Sequence, residues 1–154
     1  MTPYHFQLQK IRNKQVPSAS QANHLQRGKI VKTKSIGQLS YQLLLVKAQV
    51  VFNAWIRKRD RDKGCVSCKS LKVVHASHYY AAGSFGALRF KECNANGSCA
   101  NCNKFLYGNL EAYRKELALR IGSKALLEMD RIATENKRKK YSRLELMEII
   151  AKYQ

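Results

Sequence analysis

The sequence predicts an α+β fold, mainly helical, with a small metal-bound finger flanked by a long N-terminal helix and by C-terminal helices. Three observations predict it. Two CxxC pairs, Cys65-Val66-Ser67-Cys68 and Cys99-Ala100-Asn101-Cys102, bracket the middle of the chain. Apolar residues recur at helical spacing before and after that segment. Between the pairs lie only short strand-like pieces, with no βαβ alternation.

The finger follows from coordination geometry. Zn²⁺ takes four ligands in a tetrahedron and binds thiolates well. A two-residue spacer lets both thiolates of a tight turn reach one ion, so two such turns complete a four-cysteine site. The competing readings are a redox motif, which needs one pair in a βαβ setting, or two disulfides. No secretory signal is read in the chain, so the expected compartment is intracellular and its thiols reduced. That favours metal at Cys65, Cys68, Cys99 and Cys102. Such a four-cysteine zinc is coordinatively closed, hence structural. The odd cysteine, Cys93, reads as a small buried side chain or a free thiol.

Charge narrows the partner. Lys and Arg number 29 against 10 Asp and Glu, a formal charge of +19. That is far beyond what solubility needs and points to a polyanion. A membrane surface would require an uncharged span of roughly 18–20 residues or a lipidation motif, and neither is present. Nucleic acid remains. Residues 1–59 hold 11 basic and no acidic residues, so the N-terminal third is the end expected against phosphates.

The elements follow in order. Residues 1–36, with loop signals at Pro17-Ser18-Ala19-Ser20 and Arg27-Gly28-Lys29, read as a basic, partly flexible arm. Its Lys10, Arg12, Lys14, Arg27, Lys29, Lys32 and Lys34 either track a DNA backbone or form a solvated tail. Residues 38–62, within a segment 37–64, read as one long helix. Leu39, Leu43, Val46, Val50 and Ala54 form its main stripe, widened by Leu44, Val51 and Trp55, with Tyr41, Leu45, Phe52 and Ile56 on another side. A helix apolar nearly all round is sandwiched in a core or joins a second copy, so residues 38–56 are a candidate homodimer interface. Its end carries Arg57, Lys58, Arg59, Arg61 and Lys63, which suit both DNA and the helix dipole, and Gly64 closes it.

Residues 65–122 form the expected core unit. Leu71–Val74 and Ala76–Tyr80 are strand-like, 82–86 is loop, 88–90 is a short ordered piece, and 94–97 is a turn into the second cysteine pair. A helix follows over 108–122, with Asn109 as N-cap, Leu110, Tyr113, Leu117 and Ile121 on one face, and Gly122 as its end. Residues 123–154 carry two more helices. One spans 124–137 through Leu126, Leu127, Met129, Ile132 and Ala133. The other opens at the capping box Ser142-Arg143-Leu144-Glu145 and carries Leu146, Ile149 and Ile150.

Chemistry concentrates between the cysteine pairs. His78 is the best candidate for a general base, because histidine takes a proton from water near neutral pH. Asn103 directly follows a zinc ligand, and its side-chain oxygen suits Mg²⁺. Asn94 is a candidate acceptor for the histidine's other N–H. The plainer readings are zinc ligation or DNA contact for His75 and His78, and turn roles for Asn94, Asn96 and Asn103.

The run His78-Tyr79, Gly83, Leu88-Arg89-Phe90, Asn94, Cys99-x-x-Cys102-Asn103, Gly108-Asn109, Tyr113 and Arg120-Ile121-Gly122 resembles the phage NinG family, also called Rap. These are recombination endonucleases that act on branched DNA. The core pattern also looks like the zinc-held His-Me finger (HNH, ββα-metal) of phage endonuclease VII. The resemblance implies a treble-clef-like fold, a β-hairpin followed by a helix around one metal. It implies His78 as base and Asn103 as ligand of a catalytic divalent ion. Two positions depart from the pattern. Ser77 stands where such nucleases commonly have Asp, and His75 where NinG relatives have Asp. Asn96 stands where relatives often have a second histidine. Glu92 is the sole acid between Lys63 and Leu110. His75 as replacement ligand would favour Mn²⁺ or a softer ion over Mg²⁺.

The reading is therefore a structure-selective DNA endonuclease that hydrolyses phosphodiester bonds in branched recombination intermediates of the Holliday-junction or D-loop type. It is expected in the cytoplasm of a bacterial cell as a phage or prophage product. Arg89 joins the basic residues above as a DNA contact. The alternative is a non-catalytic zinc module that binds DNA or RNA in a phage recombination or replication assembly.

Overall fold

The computed structural model describes residues 35–135 and 138–154. Among the described residues there are six regular elements: α1 (Tyr41–Arg59), β1 (His75–His78), β2 (Ala95–Ser98), α2 (Leu110–Ile121), α3 (Ser123–Glu135) and α4 (Arg143–Tyr153). Short turns of 3-10 helix stand at Ile36–Gln38, Arg61–Lys63 and Gly86–Leu88, and one π-helical turn spans Asn101–Phe105. This is the expected mainly helical α+β architecture, with a single two-stranded sheet among the described residues. The seven arm residues from Lys10 to Lys34 lie outside the described residues, as do the last two positions of the predicted 124–137 helix.

Ser40 caps α1, its hydroxyl accepting from the Leu43 N–H at 3.4 Å. The helix buries Leu44, Ala48, Phe52 and Ile56, a strict i, i+4 line. Against this line pack Leu146, Ile150 and Tyr153 of α4, together with Phe90 and Ala95. The expected main stripe is not the core face: Leu43, Val46 and Val50 are 52%, 59% and 59% exposed. Both faces are apolar, so periodicity alone does not choose between them. The choice falls to α4, whose N-terminus is fixed by the Ser142–Glu145 capping box.

A second core joins Val66, Leu88, Tyr113, Leu117, Leu126, Met129 and Ala133, and it ties the finger to α2 and α3. Leu110 and Leu127, expected to pack, are instead 49% and 66% exposed.

The strands differ from expectation too. β1 pairs antiparallel with β2 in the register His75↔Ser98, Ala76↔Gly97, Ser77↔Asn96 and His78↔Ala95. Positions 94–97, with their turn-like composition, thus mostly form a strand, whereas Leu71–Val74 is irregular. The reason is close approach. A Cβ at Gly97 would lie 2.7 Å from the Asp60 Cβ and 2.8 Å from Val73 Cγ1, so only glycine lets the end of α1 reach the strand.

Asp60, fully buried, closes that junction. Its carboxylate accepts from Arg59 at 2.6 Å and from the Gly97 N–H at 2.8 Å. Burial opposes its ionisation, but the Arg59 guanidinium and the Gly97 amide together hold its pKa below the usual value. Arg59 also donates to the Glu92 and Ala95 carbonyls, so one ion pair anchors α1 to the whole β2 segment.

Candidate functional site

The finger is built by two turns that bring four sulfurs together. Gly64 (φ +71°) and Lys69 (φ +65°) flank the first cysteine pair in left-handed conformation. The turn closes through the Cys65 N–H to the Ser70 carbonyl (2.7 Å) and the Lys69 N–H to the Cys65 carbonyl (2.9 Å). The second pair follows β2 directly, with Cys102 in the π-helical turn. All four Sγ atoms lie within 4.8 Å of one another. Cys68 and Cys99 are 3.7 Å apart, and a tetrahedron of ~2.3 Å metal–sulfur bonds has an S···S edge of about 3.8 Å. The cluster can hold a metal ion such as zinc.

Donors surround these sulfurs. The Cys102 N–H donates to Cys99 Sγ at 3.4 Å, and Asn109 Nδ2 donates to Cys102 Sγ at 3.6 Å. Burial opposes ionisation of Cys65, yet the Cys99, Cys68 and Ser67 amides and the Ser98 hydroxyl bring its pKa down to about 6. Burial and the neighbouring thiols push Cys102 up. Four adjacent thiols do not all ionise unaided, and a divalent cation is what makes four thiolates compatible. Asn109, expected as an N-cap, makes no capping hydrogen bond. It stands in the left-handed region (φ +48°) and turns its amide to the sulfur instead.

His78 ends β1 on the α1 side of the hairpin. Its ring centroid lies 6.0 Å from that of Phe52. Its Nε2 lies 3.0 Å from the Arg89 carbonyl oxygen. A carbonyl only accepts, so Nε2 carries the proton and Nδ1 carries the lone pair. Burial lowers the pKa of His78 despite that hydrogen bond, and the Arg89 charge lowers it further. The imidazole is therefore neutral near pH 7, as a base must be.

The other predicted residues are placed differently. Asn94 makes no hydrogen bond to His78. It is fully buried, accepting from the Tyr80 N–H (2.8 Å) and donating to the Tyr80 (2.9 Å) and Leu88 (3.0 Å) carbonyls. The role assigned to it, fixing the histidine tautomer, belongs to the Arg89 backbone. Asn96 is buried, donating to Tyr113 Oη at 3.2 Å. Ser77, its register partner, is buried as well.

His75 and His78 are three positions apart on a strand, so their side chains leave opposite faces. His75 is half-buried near Lys104 and Arg57, and burial followed by those two charges lowers its pKa. Asn103 donates its backbone N–H to the Cys99 carbonyl at 3.1 Å. Its half-buried side chain has no hydrogen bond among the described residues, to His78 or to any other residue.

The basic residues divide. Arg57, Lys58 and Arg61 line an open trough of about 620 Å³ with Asp62, Val73 and Val74. Lys63 lies 3.3 Å from Asp60, and Arg59 is drawn inside by Asp60, so the guanidinium of Arg59 serves the fold. Arg89 lines a separate cleft of about 500 Å³ with Tyr41, Arg138, Lys139 and Lys140. Sequence reasoning missed Asn109 as a sulfur donor, the Arg89 carbonyl and the Arg59–Asp60 pair. The Gly108-Asn109 dipeptide, a signal for positive φ, was the available hint for the first.

The family model described as Bacteriophage Lambda NinG protein matches residues 5–154. Protein ninG of Escherichia phage 933W is 41% identical over 110 residues, covering 70% of this chain and 53% of that protein. Protein ninG of Escherichia phage lambda is 40% identical over 110 residues, with 70% and 52% covered. Protein ninG of Salmonella phage P22 is 40% identical, with 70% and 53% covered. The chain spans about half the length of these curated relatives. No solved structure matches it significantly.

Proposed function

The chain belongs to the NinG family of phage proteins, and from that premise we propose that it is an endonuclease that hydrolyses phosphodiester bonds in branched DNA. The observation that carries this reading is His78, held by the Arg89 carbonyl at 3.0 Å with Nδ1 free of hydrogen bonds among the described residues. Nδ1 takes a proton from water, and the resulting hydroxide attacks the phosphorus. The P–O bond to the 3′ or 5′ oxygen breaks, and that oxygen leaves as an alkoxide that takes up a proton from solvent. Zinc at Cys65, Cys68, Cys99 and Cys102 is structural. It fixes the hairpin at one end and the Asn103 turn at the other.

A divalent ion in this proposal takes Asn103 Oδ1. His75, on the opposite strand face from His78, lies outside the reach of the base. Among the described residues only the four cysteines form a group of three or more His, Cys, Asp or Glu side chains placed to hold a metal ion, so no carboxylate cluster offers a second site. Glu92 accepts from Tyr153 Oη (2.7 Å) and Lys152 Nζ (3.0 Å), and Asp60 is committed to Arg59. This donor set alone does not fit a hard Mg²⁺ ion, which needs several oxygen ligands and some negative charge. No chemical step is therefore routed through the ion.

The Arg57–Arg61 trough and the Arg89 cleft supply phosphate contacts, which position DNA without reading its sequence. The outward face of α1, with Leu43, Val46 and Val50, is the surface that would join a second copy and set two sites on opposed strands. The protein would act in the cytoplasm of the infected or lysogenic cell. None of the described helices is long and apolar enough to cross a membrane.

The lack of a second metal-holding cluster among the described residues favours one second reading, a zinc module that binds branched nucleic acid without cutting it. Incubation of a four-way junction and a matched linear duplex with Mg²⁺ or Mn²⁺ separates the two. Selective cutting of the junction supports the nuclease, and tight binding without cutting under either ion supports the module.

A further inference from the structure

One surface feature is left unused by the zinc cluster, the histidine and the basic clefts. After Cys102 the chain reads Asn103-Lys104-Phe105-Leu106-Tyr107-Gly108. Phe105 is 71% exposed and Tyr107 is 90% exposed. Neither residue belongs to a core cluster or meets another ring among the described residues. The second knuckle therefore carries two large aromatic side chains that the fold does not need.

The segment is held rather than loose. The Leu106 N–H donates to the Asn101 carbonyl (3.0 Å), and the Gly108 N–H to the Cys102 carbonyl (2.8 Å). The Ser67 hydroxyl of the first knuckle donates to the Gly108 carbonyl at 3.3 Å. Tyr107 itself is at φ +48°, a conformation that aromatic residues rarely take. Both knuckles thus fix a loop that leaves two rings exposed, and strained backbone of this kind clusters at ligand-binding sites.

Charge selects the occupant. Lys104 is exposed beside the rings and lies near His75. Between Lys63 and Leu110 the sole acid is Glu92, which Tyr153 and Lys152 occupy, and Glu111 beyond the loop is paired with Lys115. Two exposed rings that follow an exposed lysine in the chain, in a protein of charge +19, suit a ligand with flat apolar faces and phosphates. Duplex DNA hides its base faces inside the stack, whereas a branch point or single strand exposes them.

We propose that Phe105 and Tyr107 form a stacking platform for unpaired or unstacked bases, through which the protein prefers branched over linear DNA. This deepens the nucleic-acid part of the reading above and rests on it, but not on cleavage.

The test is fluorescence anisotropy with the zinc-loaded protein and no Mg²⁺ or Mn²⁺. Three labelled DNAs are compared: a single strand, a four-way junction and a linear duplex of matching sequence. Stacking on one aromatic ring is worth ~1–3 kcal/mol per base, so the F105A/Y107A variant should lose about fivefold or more on the single strand and the junction. Duplex affinity should change less than about twofold, since phosphate contacts are untouched. The ring-keeping variants Phe105→Tyr and Tyr107→Phe should bind as the parent does. An unchanged affinity of F105A/Y107A for all three DNAs would overturn the proposal. So would an equal loss on duplex and junction, or a loss of self-association with DNA binding intact. Because no cutting occurs in this assay, a protein that binds but never cuts would leave the platform standing.

Discussion

His78 Nε2 donates to the Arg89 carbonyl oxygen at 3.0 Å. This contact joins the end of β1 to the segment that follows the Gly86–Leu88 turn. It fixes the tautomer by a backbone atom that substitution at position 89 does not remove. The lone pair is left on Nδ1, which has no hydrogen-bond partner among the described residues.

The histidine's burial sets a pH dependence. A base works in its neutral form, and burial depresses the pKa of His78 below the ordinary 6.5. The cleavage rate should rise with pH through a midpoint below 6.5 and be level by neutrality. A pH–rate profile on a junction under single-turnover conditions checks this. A midpoint above 6.5 would contradict the neutral, buried base.

Asn109 offers a test of the metal centre apart from its four ligands. Its amide donates to Cys102 Sγ, and such supporting donors are worth roughly 10–100-fold in metal affinity. Asn109→Gly keeps the left-handed backbone accessible and removes only the amide. Competition with a chelator should show about tenfold weaker zinc binding or more in that variant. The loss should be complete in Cys102→Ser, with the finger unfolding as the metal leaves.

The buried Asp60 predicts a stability effect with a definite sign. Asp60→Asn leaves Arg59 without its anion and should cost about 3 kcal/mol in urea unfolding at pH 7. The pKa of Asp60 is depressed in the folded state, so its contribution is present above the unfolded value of 3.8. It fades as pH falls through the lower folded value. The gap between wild type and variant should therefore narrow in strong acid, and a gap that stays constant would assign the effect to packing alone.

The outward face of α1 predicts self-association. Val46 and Val50 are both 59% exposed, one turn apart. Sedimentation at micromolar concentration should show a dimer that V46D/V50D converts to monomer. The variant should keep its helix content, because neither residue contacts the core. A wild-type monomer would remove α1 as the interface.

Much of this molecule was legible in the sequence because its strongest signals are local. The CxxC pairs need only a two-residue turn each, and the four sulfurs do converge. Helix ends at Ser142 and Gly122 follow from short-range backbone chemistry, whereas the long helix, expected over 38–62 and closed by Gly64, begins only after its cap Ser40 and ends at Arg59. What was not legible depended on contacts between distant residues. Ala95–Ser98 lacks β-branched residues, yet it is a strand because Gly97 admits Asp60. The core face of α1 was chosen by α4, about a hundred positions away. Arg59 looked like a phosphate contact until its partner across the fold was known. Asn94 had the right chemistry to hold His78, but the main chain at position 89 does that instead.

The most direct measurement is single-turnover cleavage of a four-way junction by wild type and by His78→Ala, with binding to the same junction followed in parallel. If His78 is the base, cutting falls by roughly 10²–10⁴-fold in the variant while junction affinity and zinc content are unchanged. Equal cutting by both proteins would contradict that role outright. Tight binding with no cutting by wild type, in Mg²⁺ or Mn²⁺, would contradict the nuclease itself and leave a junction-binding metal finger.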